Sequence, residues 1–303
     1  MFEKLCRELA DFQFPRSLIV RDRTLHLILC AVILVLASTT VYFRFYWHPL
    51  ESYQEAFLSN IERFDVEHAS QGKTENAEPG SVYVPILIYH SVRPHSPAEL
   101  ALQRYYDVAP GAFENQLRYL KEHGYTVISL DYLGIALDQN ITLPPKSVVI
   151  TFDDGWRNQY SYAFPLLRKY GYTATFFIFT DAIGRDNFLT WDQIRVVNNS
   201  GMTIGGHTRT HPYLFELTNM DSLRQEIIGG KRIIEDQIGH SIQEFAYPFG
   251  QYDDRIIGVV KEAGYQFARS THRSVYNAKS DLFTLKGVEI TDDFDQFVAD
   301  LNQ

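Results

Sequence analysis

Cysteine is nearly absent. The 303 residues hold two, Cys6 and Cys30, both before residue 46. The long downstream part can therefore have neither a disulfide framework nor a thiolate metal site, and any metal there must be held by His, Asp or Glu. Positive charge is also scarce, with 28 Lys and Arg against 37 Asp and Glu and a formal net charge of −9. Such a balance argues against a nucleic-acid partner, which would call for a basic face. The acid excess is uneven: the first 45 residues carry six basic and four acidic side chains, and the rest carries 22 and 33. Solubility accounts for most of it. With 45% apolar, 14% aromatic and 21% charged residues, the chain has ample material for a core, which excludes general disorder.

Long apolar runs are missing with one exception. Leu25–Phe43 has no formal charge apart from His26; as a helix its 19 residues rise ~28 Å, close to the ~30 Å hydrocarbon core of a bilayer. Lys4, Arg7, Arg16, Arg21 and Arg23 precede it, and Arg44 alone follows closely. The positive-inside tendency then keeps residues 1–24 cytoplasmic and exports the C-terminal bulk to the periplasm or the cell exterior. A buried core helix and a cleaved signal peptide are the alternatives. Against cleavage, the basic segment is long, and Tyr42, Phe43, Phe45, Tyr46 and Trp47 stand where small residues belong. That cluster suits a membrane interface, so 25–43 is expected to be a single-pass anchor. Residues 44–81 read as a stalk: Glu67 to Ser81 is polar, with Gly and Pro.

From Val82 onward, short apolar runs alternate with helical patterns. Val82–Tyr89, Val148–Phe152, Thr173–Phe179, Met202–Ile204, Glu244–Tyr247 and Gln266–Ser270 read as strands. Phe113, Leu117 and Leu120 recur at helical spacing before Gly124, as do Leu166, Leu167 and Tyr170 before Gly171. Ile194 and Val197 lead to Gly201, Leu223 to Ile238 make one longer helix, and Ile256, Val259 and Val260 stop at Gly264. The rhythm of helix, Gly-Tyr and strand (HGYTV, YGYTA, AGYQF) marks repeated βα units around a mainly parallel sheet. Residues 82–303 suit one α/β barrel, in which polar residues at the C-terminal ends of strands are the catalytic suspects.

That rule selects Asp153 and Asp154 after one strand and His207 and His211 after another. Singly, the aspartates read as a turn and the histidines as surface residues. Together, two histidines and a carboxylate are a standard ligand set for a catalytic zinc with a fourth position left for water. The i, i+4 spacing would bring the two imidazoles together if the segment turned helically. A bound divalent metal lowers the pKa of that water and polarises a carbonyl, and a second carboxylate can serve as general base.

Three segments carry a resemblance. TFDDG at Thr151–Gly155, HTRTHP at His207–Pro212 and FAYPFG at Phe245–Gly250 resemble the principal motifs of the polysaccharide deacetylases, carbohydrate esterase family 4 with its NodB-like domain, and they occur in the family's order. The resemblance implies a distorted, partly open (β/α) barrel of about seven strands. It implies Asp153 as general base, with Asp154, His207 and His211 as ligands of a divalent metal, zinc first and cobalt or nickel also acceptable. It also implies a backbone N–H at Phe249 for the oxyanion. Thr208 and Thr210 are expected to shape the ligand loop, and Trp156 and Trp191 to line a sugar groove, although a core role suits Trp191 as well.

Two departures matter. The family's usual arginine two residues before the third-motif proline, which tethers the base aspartate, is Ala246 here. Leu285–Ile290 reads LKGVEI with no histidine after it, so the usual late acid is missing. His90, in ILIYHSV, resembles the early histidine of the poly-β-1,6-N-acetylglucosamine deacetylases and becomes the expected acid, with His272 as its rival. The implied activity is metal-dependent removal of N-acetyl groups from an exported, acetylated polysaccharide such as poly-N-acetylglucosamine in an exopolysaccharide or biofilm matrix. Deacetylation of peptidoglycan or of O-acetylated glycan, and an inactive tethered sugar-binding module, are the alternatives.

Overall fold

The computed structural model describes residues 80–96 and 106–302. The segment 1–24, the anchor expected at 25–43 and nearly all of the stalk lie outside them. Among the described residues no helix is long and apolar enough to cross a membrane.

Eight strands form the central sheet. They are β1 (Ile86–Tyr89), β2 (Thr126–Ile128), β3 (Ser147–Phe152), β4 (Thr175–Ile178), β5 (Thr203–Gly206), β6 (Glu244–Ala246), β7 (Phe267–Arg273) and β8 (Leu285–Glu289). Their order is β1-β8-β7-β6-β5-β4-β3-β2, and β3 also pairs with β1. Seven strands therefore close into a parallel barrel. The opening expected from the resemblance is not a gap between strands, because Ile86↔Val149 through Tyr89↔Phe152 seal the ring. The distortion lies at β3, whose other edge is shared. Its first half pairs with β2 (Thr126↔Ser147 to Ile128↔Val149) and its last residues with β4 (Thr151↔Thr175, Phe152↔Phe176). The thinnest seam is β5–β6, with the single register pair Gly206↔Phe245.

Helices cover the outside: α1 (Pro110–Glu122), α2 (Leu130–Gln139), α3 (Phe164–Tyr170), α4 (Trp191–Asn199), α5 (Met220–Arg224), α6 (Gly230–Ile238), α7 (Asp254–Glu262) and α8 (Phe294–Asp300). Local chemistry starts several of them. Thr190 and Gln193 form a capping box on α4, and the Asp253 carboxylate accepts the Ile256 N–H at the head of α7. Along β3, Val148, Ile150 and Phe152 pack in the main core with helix residues such as Leu117 and Leu167, while Val149 joins a second cluster. Alternate strand residues face opposite sides, so the second cluster, with Ile86, Phe177 and Ala246, fills the barrel interior. Leu130, Leu133 and Leu137 of α2 meet Phe267 and Leu285, the first residues of β7 and β8, so α2 closes the N-terminal end.

Two expected elements differ in the structure. The run Val82–Tyr89 breaks at Pro85, which lacks a ladder donor; Val82–Tyr83 turns away to pair antiparallel with Tyr276–Asn277. The long helix expected over 223–238 is split into α5 and α6 by a π-helical turn at Gln225–Gly229. A second π turn, Gln159–Ala163, precedes α3. Both serve the site described next.

Candidate active site

All the chemistry-bearing residues collect where β1, β3, β5, β6 and β7 end. Asp153 and Asp154 follow β3 directly, His90 follows β1 and His207 follows β5. Asp154 Oδ1 lies 3.6 Å from His207 Nε2 and 3.4 Å from His211 Nε2, and the two imidazole nitrogens are 3.1 Å apart. Ligands of a tetrahedral zinc, each ~2.1 Å from the ion, stand ~3.4 Å from one another. The donor set therefore fits a small divalent cation. It is the one such cluster of His, Cys, Asp and Glu among the described residues.

The surroundings aim these atoms. The His207 Nδ1–H donates to the Ala246 carbonyl at 2.7 Å, which leaves the Nε2 lone pair for the cluster. Burial pushes the His207 pKa down to about 4, so the ring stays neutral as a ligand must. The Trp156 indole N–H donates to Asp154 Oδ2 at 3.0 Å, so Oδ1 is the free oxygen. The indole stacks on Phe188 with centroids 4.4 Å apart. Trp156, expected on a sugar groove, thus fixes the orientation of the Asp154 carboxylate.

His207 and His211 do not meet by a helical turn. Thr208 and His211 both take left-handed backbone, at φ 70 and 61, and the His211 N–H donates to Thr208 Oγ1 at 3.0 Å. Asp154 (φ 73) and Phe249 (φ 59) are also left-handed, so four of the seven such non-glycine residues in the described chain belong to the site. Left-handed backbone costs a non-glycine residue about 1–3 kcal/mol, most for a β-branched Thr, and persists only where the surroundings enforce it. The enforcement comes from the π turn before α6. Its Glu226 accepts the N–H groups of Arg209 and Thr210 and the Thr210 hydroxyl. Gly230, at the head of α6, lies so close that a Cβ there would stand 2.9 Å from the Thr208 carbonyl. The other π turn supplies Gln159, whose amide donates to the carbonyls of Asp153 (2.5 Å) and His90 (2.6 Å) and ties β1 to β3. Insertions of this kind recur at functional sites because they re-aim a side chain without ending the helix.

Asp153 is 2% exposed. Burial alone would raise its pKa, but the Arg269 guanidinium, helped by His207 and His90, outweighs that and holds the carboxyl below its ordinary range. Arg269 Nη2 donates to Asp153 Oδ1, while Oδ2 faces His90 Nε2 at 3.9 Å. Arg269 escaped the sequence reading. It lies on β7 in register with Ala246 on β6, so the tether missing from the third motif comes from the next strand at the same level. A charged residue inside the strand-like segment Gln266–Ser270 was the available signal.

The remaining candidates separate. Phe249 exposes its ring edge-on to His211, with centroids 4.7 Å apart. Trp191 opens α4 and packs against the main core. His272 pairs with the Tyr252 hydroxyl at 3.3 Å, while His90 is the histidine set against Asp153.

Comparison with known proteins agrees with this geometry. Residues 140–268 match the family model described as polysaccharide deacetylase. YxkH of Bacillus subtilis (strain 168), named for the polysaccharide deacetylases, is 27% identical over 208 residues, 69% of this chain and 71% of its own. A poly-β-1,6-N-acetyl-D-glucosamine N-deacetylase of Staphylococcus aureus (strain MSSA476) is 25% identical over 62% of this chain and 69% of its own. Among solved structures, the Streptococcus pyogenes deacetylase PplD superposes with TM-score 0.67 at 28% identity, over 73% of this chain and 99% of its own. IcaB from Ammonifex degensii gives TM-score 0.65 at 25% identity, over 75% and 99%. Motif order, barrel, residue cluster and these relatives agree in one likeness: over its barrel the chain is similar to the enzymes of the polysaccharide deacetylase family.

Proposed function

We propose that this enzyme removes N-acetyl groups from an exported poly-N-acetylglucosamine, with the span 25–43 anchoring it in the membrane and the barrel on the outer side. The observation that carries the chemistry is the pairing of a charged, buried Asp153 with His90 beside the Asp154, His207 and His211 cluster. Those three residues would hold a divalent metal, zinc first, which when bound supplies a Lewis acid and acidifies a water. Asp153, kept ionised by Arg269, takes a proton from the attacking water. The Phe249 N–H, presented by its left-handed turn, donates to the carbonyl oxygen as charge develops there. His90 gives a proton to the departing amine nitrogen. Acetate and a glucosamine unit leave.

The choice of glycan is supported by the Staphylococcus aureus relative, by His90 in place of a late histidine and by Ala246 in place of arginine. The test is acetate release by the purified protein from poly-β-1,6-N-acetylglucosamine, peptidoglycan and O-acetylated glycans, with and without chelator. Release from the first alone, abolished by chelation and restored by zinc, is the expected result. Metal-loaded protein that releases acetate from none of them would sink the reading.

A further inference from the structure

We infer that Phe249, Tyr213 and Phe215 form a stacking ladder that binds sugar rings of the glycan beyond the unit being deacetylated. The inference rests on the proposed glycan substrate and extends it to a site outside the catalytic cluster. Isolated exposed aromatics are ordinary, but a contiguous exposed patch marks a binding surface. These three are 44%, 44% and 45% exposed, and Tyr213 contacts both of the others. From the ligand His211 the centroid steps run 4.7 Å to Phe249, 3.8 Å on to Tyr213 with planes 10° apart, and 6.0 Å to Phe215 at 75°. The series begins beside the candidate metal cluster, at His211, and ends at Phe215.

Its presentation is fixed. Tyr213 and Phe215 flank Leu214, which is 1% exposed and drives the loop into the core. Arg255 on α7 donates to the carbonyls of Phe215 and Leu217 and pairs with Asp253 at 3.3 Å. Rings held this way lose little freedom when they bind. An N-acetylglucosamine ring with equatorial substituents offers C–H groups on both faces, which suit the electron-rich face of an aromatic ring. The continuity with the acetamide site selects a glycan as occupant.

The test uses the full chain carrying Asp153→Asn, so that bound glycan is not consumed. Affinities for β-linked N-acetylglucosamine oligomers from monomer to pentamer are measured by calorimetry. The pentamer-to-monomer ratio is expected to fall roughly tenfold in Phe215→Ala and in Tyr213→Ala, the scale of one aromatic face returned to water, and to be retained in Phe215→Trp. A ratio unaltered in both alanine variants overturns the ladder, and acetate release by the unsubstituted enzyme then leaves the proposed activity standing. Oligomers that neither bind nor release acetate overturn both. An unaltered ratio with lost binding to phosphatidylcholine–phosphatidylglycerol vesicles assigns the patch to a lipid surface and also overturns it.

Discussion

The two ends of the barrel each bury a carboxylate and treat it in opposite ways. At the C-terminal mouth, Asp153 is charged despite burial because Arg269 faces it. At the opposite end Glu244 opens β6 and is 3% exposed, and burial, reinforced by Asp131, pushes its pKa up to about 7. A cation lies nearby at that end too. Lys231, however, is committed elsewhere: to Glu235 at 2.8 Å, to the Ile242 carbonyl and to the face of Tyr265. Desolvation is common to both ends, and the geometry of the partner decides the outcome. A buried carboxylate near neutrality is therefore no sign of catalysis in this fold; the mouth is marked by the paired one.

The largest expected effect is at the mouth. Asp153→Asn keeps the shape and the Arg269 contact but cannot take a proton, so kcat should fall about 10³-fold, within the usual range for a general base. Retention of a tenth of the activity would show that Asp153 is not the base. Next comes its partner. Arg269→Met leaves a buried, unpaired carboxylate, and urea denaturation should show a loss of about 3–5 kcal/mol. In the Asp153→Asn background the same substitution should lose markedly less, because no charge is stranded. Equal losses in both backgrounds would reduce Arg269 to a packing residue over Phe177.

These two residues also show where the sequence could be read and where it could not. Asp153, Asp154, His207 and His211 were legible because their types and their place after apolar runs are local facts. The strands from HGYTV, YGYTA and AGYQF were legible because Gly ends each helix and β-branched or aromatic residues follow. Arg269 was not, since its role depends on the register Arg269↔Ala246 between strands separated by α7. Helix α2 was missed because its apolar face, Leu130, Leu133 and Leu137, packs against the barrel end, and its Gly134 is needed beside Phe267. Strand β8 was missed because Lys286, Gly287 and Glu289 interrupt its apolar pattern. The split of 223–238 had no local signal beyond paired glycines, because its cause is the ligand loop pressed against Gly230.

The Trp156 hydrogen bond at the mouth is expected to matter less than Asp153 or Arg269. Trp156→Phe removes the donor to Asp154 Oδ2 and keeps an aromatic ring for Phe188. Metal affinity, measured by competition with a chromogenic chelator, should weaken roughly 10- to 100-fold. An unchanged affinity would mean that the backbone turn at Asp154 alone orients the carboxylate.

The far end tests the comparison from its other side. A carboxyl whose folded pKa lies above its unfolded value is no burden while both states hold the proton. It destabilises the fold progressively as pH rises from the unfolded value to about 7, and the penalty levels off above that. Glu244→Gln removes that titration and keeps the shape, so its melting temperature should match the parent near pH 4 and exceed it at pH 8. At pH 8 the gain should be on the order of 3 kcal/mol at most, the worth of a rise from 4.5 to about 7 that already includes the offset from Lys231. Acetate release should be unaffected, since Glu244 lies at the end of the barrel away from Asp153. A stability gain equal at both pH values would mean that it does not come from titration, so that burial does not raise the Glu244 carboxyl and the contrast between the two ends fails.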